Sequence, residues 1–124
     1  MGHIACKMYD SGTIMRMRAL RSRQERLRGL LGTDANADGV ALCGCSSIHT
    51  WGMRYPLDVA FVTRDGEVLK SCRGVPPKRL VSAFGARYVF ERPASKLPWP
   101  SVGSWVAIAE IDSASCGLLG TECS

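Results

Sequence analysis

The sequence predicts a mainly β fold, a compact sandwich or partly open barrel of about seven strands with one short helix. Short runs rich in β-branched and aromatic residues recur along the 124-residue chain, as they do in strands. The pair Asp65-Gly66 separates two of these runs, which is the strongest short-range signal of a β-hairpin. The stretch that follows Ser22 has the pattern of a helix start.

The chain opens with two segments that predict a hairpin. Residues 4–9 and 13–20 flank the turn-forming residues 10–12. In the second segment two sets of residues alternate. One set contains two arginines and the other is apolar: Ile14, Arg16 and Arg18 alternate with Met15, Met17 and Ala19. This period of two predicts a strand with one charged face and one buried face.

A short helix is expected next, as a lid on the sheet. Ser22 and Glu25 have the capping-box spacing, in which each side chain bonds to the backbone N–H of the other residue. The apolar stripe of this helix is Leu20, Leu27, Leu30 and Leu31. Gly32 is the candidate for the residue that ends the helix. Gly29 inside it would cost about 1 kcal/mol relative to alanine, which indicates close packing there.

The central hairpin is predicted to turn through a two-residue type I′ loop at its Asp-Gly pair. Counting outward pairs the residues as follows: Arg64–Glu67, Val62–Leu69, Ala60–Ser71 and Asp58–Arg73 on one face, and Thr63–Val68, Phe61–Lys70 and Val59–Cys72 on the other. Residues 59–62 are apolar on both faces, which predicts an interior strand. The Asp58 carboxylate begins this strand and requires a partner, which the register assigns as Arg73. Arg54 and His49 are further candidates because they lie nearby in sequence.

The same signals assign the rest of the chain. Strands are expected at residues 40–43, 87–92 and 104–111. A polar loop is expected at 33–39, an extended proline-containing connection at 74–77 and a rigid turn at 97–100, whereas 80–85 have no decisive pattern. We therefore expect one β domain over residues 1–112 and a loosely held tail over residues 113–124.

The composition is that of a soluble globular protein. Hydrophobic residues make up 46% and charged residues 22% of the chain, and both values are ordinary. No apolar run approaches the roughly 18 residues that a membrane-spanning helix needs. No export signal is visible, so we expect a cytoplasmic location unless a native signal precedes the chain.

The basic charge is concentrated in one stretch. Residues 16–28 hold six arginines and one glutamate, which equals the net charge of +5 for the whole chain. Such a cluster can contact phosphates. Nucleic-acid-binding surfaces usually add aromatic platforms or a recognisable module, and neither is evident. We therefore interpret the arginines as a solvated strand edge and helix face, and we expect no nucleic-acid partner.

Six cysteines are many for this length, and they are Cys6, Cys43, Cys45, Cys72, Cys116 and Cys123. A disulfide framework would allow 15 pairings, and nothing in the sequence selects one of them. The chain is long enough to form a normal core without such a framework. We therefore expect mainly free thiols in a reducing compartment.

A metal-binding protein that uses Cys43, Cys45 and His49 is one alternative function. Zinc sites favour gaps of two to four residues between paired thiolates, with a second pair elsewhere. Here one residue separates the two thiols and the remaining candidates are scattered. Packing of buried thiols is the favoured interpretation, and no metal is assigned.

A small hydrolase or transferase that uses Cys45 or His49 is another alternative. With Asp58, these residues have the chemistry of a nucleophile, a base and an orienting acid. Such triads are recognised by geometry rather than by spacing, and no oxyanion-hole motif accompanies them. In the favoured interpretation His49 fixes its loop through a hydrogen bond and Asp58 neutralises an arginine.

The irregular stretch from His49 to Asp58 is the predicted site, gathered at one end of the sheet by the central hairpin. Small-ligand sites combine apolar and aromatic walls with a few convergent polar groups, and this stretch holds both. Arg54 could hold an anion through two parallel hydrogen bonds. The candidate ligand-binding residues are His49, Trp51, Met53, Arg54, Asp58 and Arg73.

The function expected from these features is that of a non-enzymatic ligand-binding or accessory module. Its expected partner is a small anionic ligand or another protein. Dinucleotide-binding and Walker-type phosphate loops are absent from the sequence, so no cofactor is predicted.

One stretch resembles a known family. It reads His49-Thr50-Trp51-Gly52-Met53-Arg54-Tyr55-Pro56-Leu57-Asp58, precedes the apolar strand and the Asp-Gly turn, and is similar to the domain of unknown function 192 family. Weaker likenesses at Arg26 with Gly29-Leu30, at residues 86–91 and at Val102-Gly103 extend the resemblance over roughly Leu20 to Ile108. Many members carry a Trp-Met-Lys-Asn-Thr run before the Pro-Leu-Asp, which this chain lacks. The resemblance implies a small, mainly β bacterial or archaeal protein without an established activity.

Overall fold

The predicted mainly β fold is confirmed. The computed structural model describes residues 2–33 and 38–112. Its elements are β1 (Gly2–Met8), β2 (Ile14–Leu20), α1 (Arg23–Arg28), β3 (Val40–Cys43), β4 (Ser47–His49), β5 (Leu57–Val62), β6 (Val68–Val75), β7 (Leu80–Ser82), β8 (Tyr88–Pro93) and β9 (Val106–Asp112). Seven strands form one sheet, and β4 pairs separately with β7. The predicted tail over residues 113–124 and most of the predicted loop before β3 lie outside the described residues.

The main sheet is curled into a half-barrel. Its strand order is β6-β5-β8-β3-β2-β1-β9, so β6 and β9 are its edges. At one end these edges meet, because Glu67 bridges to Trp105 and the Val106 amide donates to the Gly66 carbonyl at 2.8 Å. This contact makes the sheet a partly open barrel.

Apolar cores lie on both faces of the sheet. The inner core includes Ile4, Met8, Ala60, Val62, Phe90 and Val106. The outer core includes Leu20, Leu42, Leu57, Val59, Phe61 and Val89, and it is covered by Leu30 after α1, Ile48 on β4 and Val81 on β7. All six residues of β5 are buried, and β5 lies between β6 and β8, which confirms that it is an interior strand.

The predicted capping box of α1 is confirmed. The Ser22 hydroxyl accepts from the Glu25 amide at 3.1 Å, and the Glu25 carboxylate accepts from the Ser22 amide at 3.0 Å. The predicted end at Gly32 is wrong, because the helix ends at Gly29, whose φ of 50° breaks the helical geometry. The helix spans six residues, and in the described part of the chain no helix is long and apolar enough to cross a membrane.

The hairpin between β5 and β6 is confirmed, but its turn differs from the prediction. The Gly66 amide donates to the Thr63 carbonyl at 3.1 Å, and the Thr63 amide donates to the Glu67 carbonyl at 2.9 Å. This leaves a three-residue loop that ends in a glycine with a φ of 106°, which is the geometry of a turn with a G1 bulge. The expected two-residue loop is therefore wrong.

Bulges also shift both ends of the hairpin register. The middle of the hairpin pairs as predicted, through Val59–Cys72, Ala60–Ser71 and Phe61–Lys70. Near the turn, Val62 pairs with Val68 instead of Leu69. At the far end an irregularity between residues 57 and 59 removes the predicted pairing of Asp58 with Arg73.

Candidate functional site

A cavity of about 350 Å³ opens between α1 and the outer face of the sheet. Its apolar walls include Leu27, Leu30, Leu42, Ile48, Met53 and Leu57. Its polar lining includes Arg23, Arg26, Ser46, Ser47, His49 and Glu91. Small-molecule sites have volumes of roughly 300–1,000 Å³ and combine apolar walls with a few polar groups, so the cavity has the size and lining of a small site.

The helix α1 forms one wall of the cavity. Leu27 is exposed at the mouth, whereas Leu30 just beyond the helix is buried. Arg26 Nη1 donates to the Cys43 carbonyl at 3.0 Å and to the Gly44 carbonyl at 3.3 Å. These bonds tie the helix to the loop after β3, and both Arg26 and Gly44 line the cavity.

The loop between β4 and β5 forms a second wall. Its first residue, Thr50, is fully buried. The Thr50 hydroxyl donates to the Pro76 carbonyl and accepts from the Arg79 amide, both at 2.8 Å. These bonds anchor an otherwise irregular segment and hold His49 and Met53 against the cavity.

Glu91 supplies a buried carboxyl group to the cavity. It lies on β8 opposite Val40 of β3 and Val59 of β5, and 4% of its surface is exposed. The end of α1 packs against it, since a Cβ added at Gly29 would lie 3.2 Å from Glu91 Oε1. No group among the described residues hydrogen-bonds to this carboxyl, and burial raises its pKa to about 7, because desolvation disfavours the charged form.

We expect the stability of the protein to fall as the pH rises from about 4.5 to about 7. The pKa of Glu91 is about 7 in the folded protein against an ordinary 4.5, so the folded state binds more protons than the unfolded state between these values. The stabilisation is therefore complete below pH 4.5 and is lost above pH 7, and the loss is about 3 kcal/mol. Denaturant unfolding at intervals between pH 4.5 and pH 8.5 measures it.

Glu91→Gln should remove this pH dependence. It should also be more stable than the wild type at pH 8.5, because the uncharged amide replaces a buried charged carboxylate. Glu110→Gln is the matched control, since Glu110 is exposed and the change should leave the pH dependence of the stability in place. If the free energy of unfolding of Glu91→Gln fell with pH as steeply as that of the wild type, another group would be the cause.

Four residues of the predicted site share the loop region beside the cavity. His49 and Met53 line it. Trp51 is half exposed, with its ring centroid 5.7 Å from that of His49. Arg54 is exposed and lies outside the lining. The predicted anion-binding arginine thus lies on a loop that borders the cavity but is not part of the lining.

The other two predicted residues, Asp58 and Arg73, lie away from the cavity. Neighbouring residues of a strand point to opposite faces, so Asp58 faces the inner side while Leu57 lines the cavity. The Asp58 carboxylate accepts from Arg92 Nε at 2.9 Å. Arg73 instead donates to the Ser95 carbonyl at 2.7 Å. The expected pairing of Asp58 with Arg73 is wrong because β8, the other neighbour of β5, places Arg92 directly opposite.

The geometry also separates the groups of the catalytic alternative. The Cys45 thiol donates to the Ser47 carbonyl at 3.1 Å, whereas His49 Nδ1 accepts from the Trp51 amide at 3.3 Å. The thiol and the imidazole therefore have different partners, and Asp58 lies on the other face of the sheet. The nucleophile, base and orienting acid that such catalysis requires are not assembled.

The metal alternative is not assembled either. Within residues 2–33 and 38–112, no group of three His, Cys, Asp or Glu side chains is placed to hold a metal ion. The cysteines of these ranges are free thiols, namely Cys6, Cys43, Cys45 and Cys72. Burial raises the pKa of the Cys6 thiol to about 12 and also raises that of Cys43, so both are poor thiolate ligands. Cys116 and Cys123 lie outside the described residues.

Sequence reasoning missed Glu91, the most buried polar group of the cavity. Its signal was available, because Glu91 shares a strand face with Val89, opposite the face of Phe90. A carboxylate among the buried apolar residues of a strand face is rare without a partner. Arg26 was interpreted as part of a solvated helix face, and only the packing of α1 shows that it reaches two carbonyl groups.

Solved structures of other proteins share this fold. A proposed transcription regulator from Sinorhizobium meliloti 1021 is 19% identical, with a TM-score of 0.73 over 86% of this chain and 93% of that one. A protein of unknown function from Novosphingobium aromaticivorans DSM 12444 is also 19% identical, with a TM-score of 0.65 over 85% of this chain and 83% of that one. At this identity the likeness shows the fold alone.

Family comparison agrees with the resemblance noted in the sequence. A search of curated proteins gave no match. The family model DUF192, described as "Uncharacterized ACR", matches residues 6–97. Because this match covers about three quarters of the chain, the protein belongs to the uncharacterised DUF192 family.

Proposed function

We propose that this protein is a non-enzymatic module that binds a small ligand in the cavity between α1 and the β4–β5 loop. The observation that carries the proposal is a cavity of about 350 Å³ with largely apolar walls and a buried carboxyl group, Glu91, that has no partner among the described residues. Buried polar groups in proteins nearly always have a hydrogen-bond partner, and a ligand would supply one here. The loop singled out in the sequence contributes His49 and Met53 to the lining.

The lining favours a small amphiphilic molecule. Apolar side chains from α1, β3 and the β4–β5 loop would contact its hydrocarbon part. Arg23, which is exposed, could contact an anionic group at the mouth of the cavity. Glu91 at the buried end of the cavity would instead favour a positively charged ligand group.

Small amphiphiles should therefore bind in the cavity, and a larger side chain that fills the cavity should weaken their binding. We expect at least one of n-hexylamine, n-hexanol and n-hexanoate to cause saturable NMR shifts of amides that line the cavity. Ser47→Trp should weaken this binding roughly tenfold or more, because Ser47 lines the cavity and an indole ring there would occupy part of its volume. The measurement is a two-dimensional ¹H–¹⁵N titration of the full chain.

Ser11→Trp is the matched control, because Ser11 is exposed in the turn between β1 and β2 and lies outside the lining. Its affinity for each probe should equal that of the wild type. Saturable shifts from none of the three probes, or equal binding by Ser47→Trp, would contradict a ligand site in this cavity.

A further inference from the structure

We propose that the cavity selects ligands with a primary ammonium group on an apolar chain, and that Glu91 is the residue that binds the ammonium. The inference rests on the proposed binding function and names the chemical class of the ligand. It is carried by the position of one side chain. Glu91 is 4% exposed, lines the cavity and has no hydrogen-bond partner among the described residues.

Among the side chains that the structure describes, several charged or titratable groups line the cavity with this carboxyl, and none of them forms an ion pair with it. They are Arg23 and Arg26 from α1, Cys45 from the loop after β3 and His49 from β4. Arg26 donates to two backbone carbonyls, and Arg23 is exposed to solvent. The strands on either side present the apolar residues Val40 and Val59 to Glu91.

A buried carboxylate without a counter-charge is unfavourable, and a cation restores the balance. Burial raises the pKa of Glu91 to about 7, as expected for a carboxyl without such a partner. The exposed arginine at the mouth is screened by water and salt, so Glu91 dominates the electrostatics of the buried end.

A primary ammonium group fits this environment better than other small polar groups. It offers three N–H donors and a positive charge, and an alcohol offers one donor and no charge. A ligand carboxylate would be repelled by ionised Glu91. The hydrocarbon chain of an amine can then extend towards the mouth along Leu30, Met53 and Leu27, which line the cavity.

The test compares n-hexylamine, n-hexanol and n-hexanoate by NMR titration of the full chain at pH 5.5 and pH 8.5. Hexylamine should bind more tightly than the other two probes at pH 8.5. Because the ammonium pairs with ionised Glu91, its affinity should be about thirtyfold higher at pH 8.5 than at pH 5.5 for a carboxyl that titrates near 7. The amine itself remains protonated throughout this range.

Three variants assign the effect. Glu91→Gln should lose the pH dependence and most of the hexylamine affinity at pH 8.5 while retaining hexanol binding. Glu110→Gln, a change at an exposed carboxylate, should behave as the wild type. His49→Gln should retain the pH dependence, which matters because imidazoles also titrate between pH 5 and pH 8.

The outcomes separate this inference from the proposed function. If hexanol or hexanoate bound in the cavity as tightly as hexylamine at pH 8.5, the ammonium assignment would be overturned and the binding site would remain. The ammonium assignment would also be overturned if the affinity for hexylamine did not change with pH, or if Glu91→Gln kept the wild-type affinity for hexylamine at pH 8.5. It would likewise be overturned if His49→Gln lost the pH dependence of hexylamine binding. Absence of saturable shifts from all three probes would overturn both.

Discussion

Replacing Asp58 with alanine should destabilise the protein by about 3–5 kcal/mol, because it removes one partner of a buried ion pair. Asp58 is 1% exposed, and its carboxylate accepts from Arg92 Nε at 2.9 Å. It also accepts from the Gly74 amide at 3.0 Å and the Ser95 amide at 3.2 Å. Alanine would leave the Arg92 charge and two backbone donors without this acceptor. Denaturant unfolding at pH 7 measures the loss.

Arg73→Ala is the matched control for this prediction. Arg73 is the partner that the hairpin register assigned to Asp58, but it is exposed and donates to the Ser95 and Leu97 carbonyls. Its removal should cost less than about 1 kcal/mol, as is usual for exposed polar contacts. A larger loss for Arg73→Ala than for Asp58→Ala would contradict the assignment of Arg92 as the structural partner.

Gly66→Ala should destabilise the protein by roughly 4 kcal/mol, through a backbone effect and a steric effect. The φ of Gly66 is 106°, a conformation that costs a residue with a Cβ about 1–3 kcal/mol. A Cβ at this position would also overlap the Val106 carbonyl oxygen, where the edge strands meet, and forced overpacking costs about 1–3 kcal/mol. Thermal and denaturant unfolding both measure this loss.

Gly12→Ala separates the two effects. Gly12 also has a positive φ, of 72°, but no atom lies within 4 Å of the position of an added Cβ. Its substitution should cost about 1–2 kcal/mol, the conformational cost alone. A loss in Gly66→Ala no larger than that in Gly12→Ala would mean that the hairpin and β9 can separate without cost.

Much of the fold could be predicted because it follows from relations between residues close in sequence. The Ser22–Glu25 capping box, the hairpin around Gly66 and the alternating faces of β2 each depend on spacings of a few residues, and each is present. The apolar run over residues 59–62 indicated an interior strand for the same reason. The turn type was missed because Asp-Gly also suits a three-residue loop with a G1 bulge.

The site was predicted less completely, because it combines segments that are far apart in sequence. The stretch from residue 49 to 58 was singled out as irregular; residues 50–56 of it lie outside the strands, and it supplies His49 and Met53 to the cavity. The remaining lining comes from α1, β3 and β8, and no local spacing predicts that these elements meet.

The sequence by itself determined the seven strands of the main sheet, the helix α1, the interior position of β5 and the family resemblance, since local spacing and composition specify these, whereas β4 and β7 were not predicted. Only the tertiary structure decided which strand lies on the second side of β5, and with it the pairing of Asp58 with Arg92 instead of Arg73. It likewise decided that Glu91 faces a cavity under α1. An interior strand has two neighbours, a hairpin specifies only one of them, and the other is chosen by how the whole sheet buries its apolar surface.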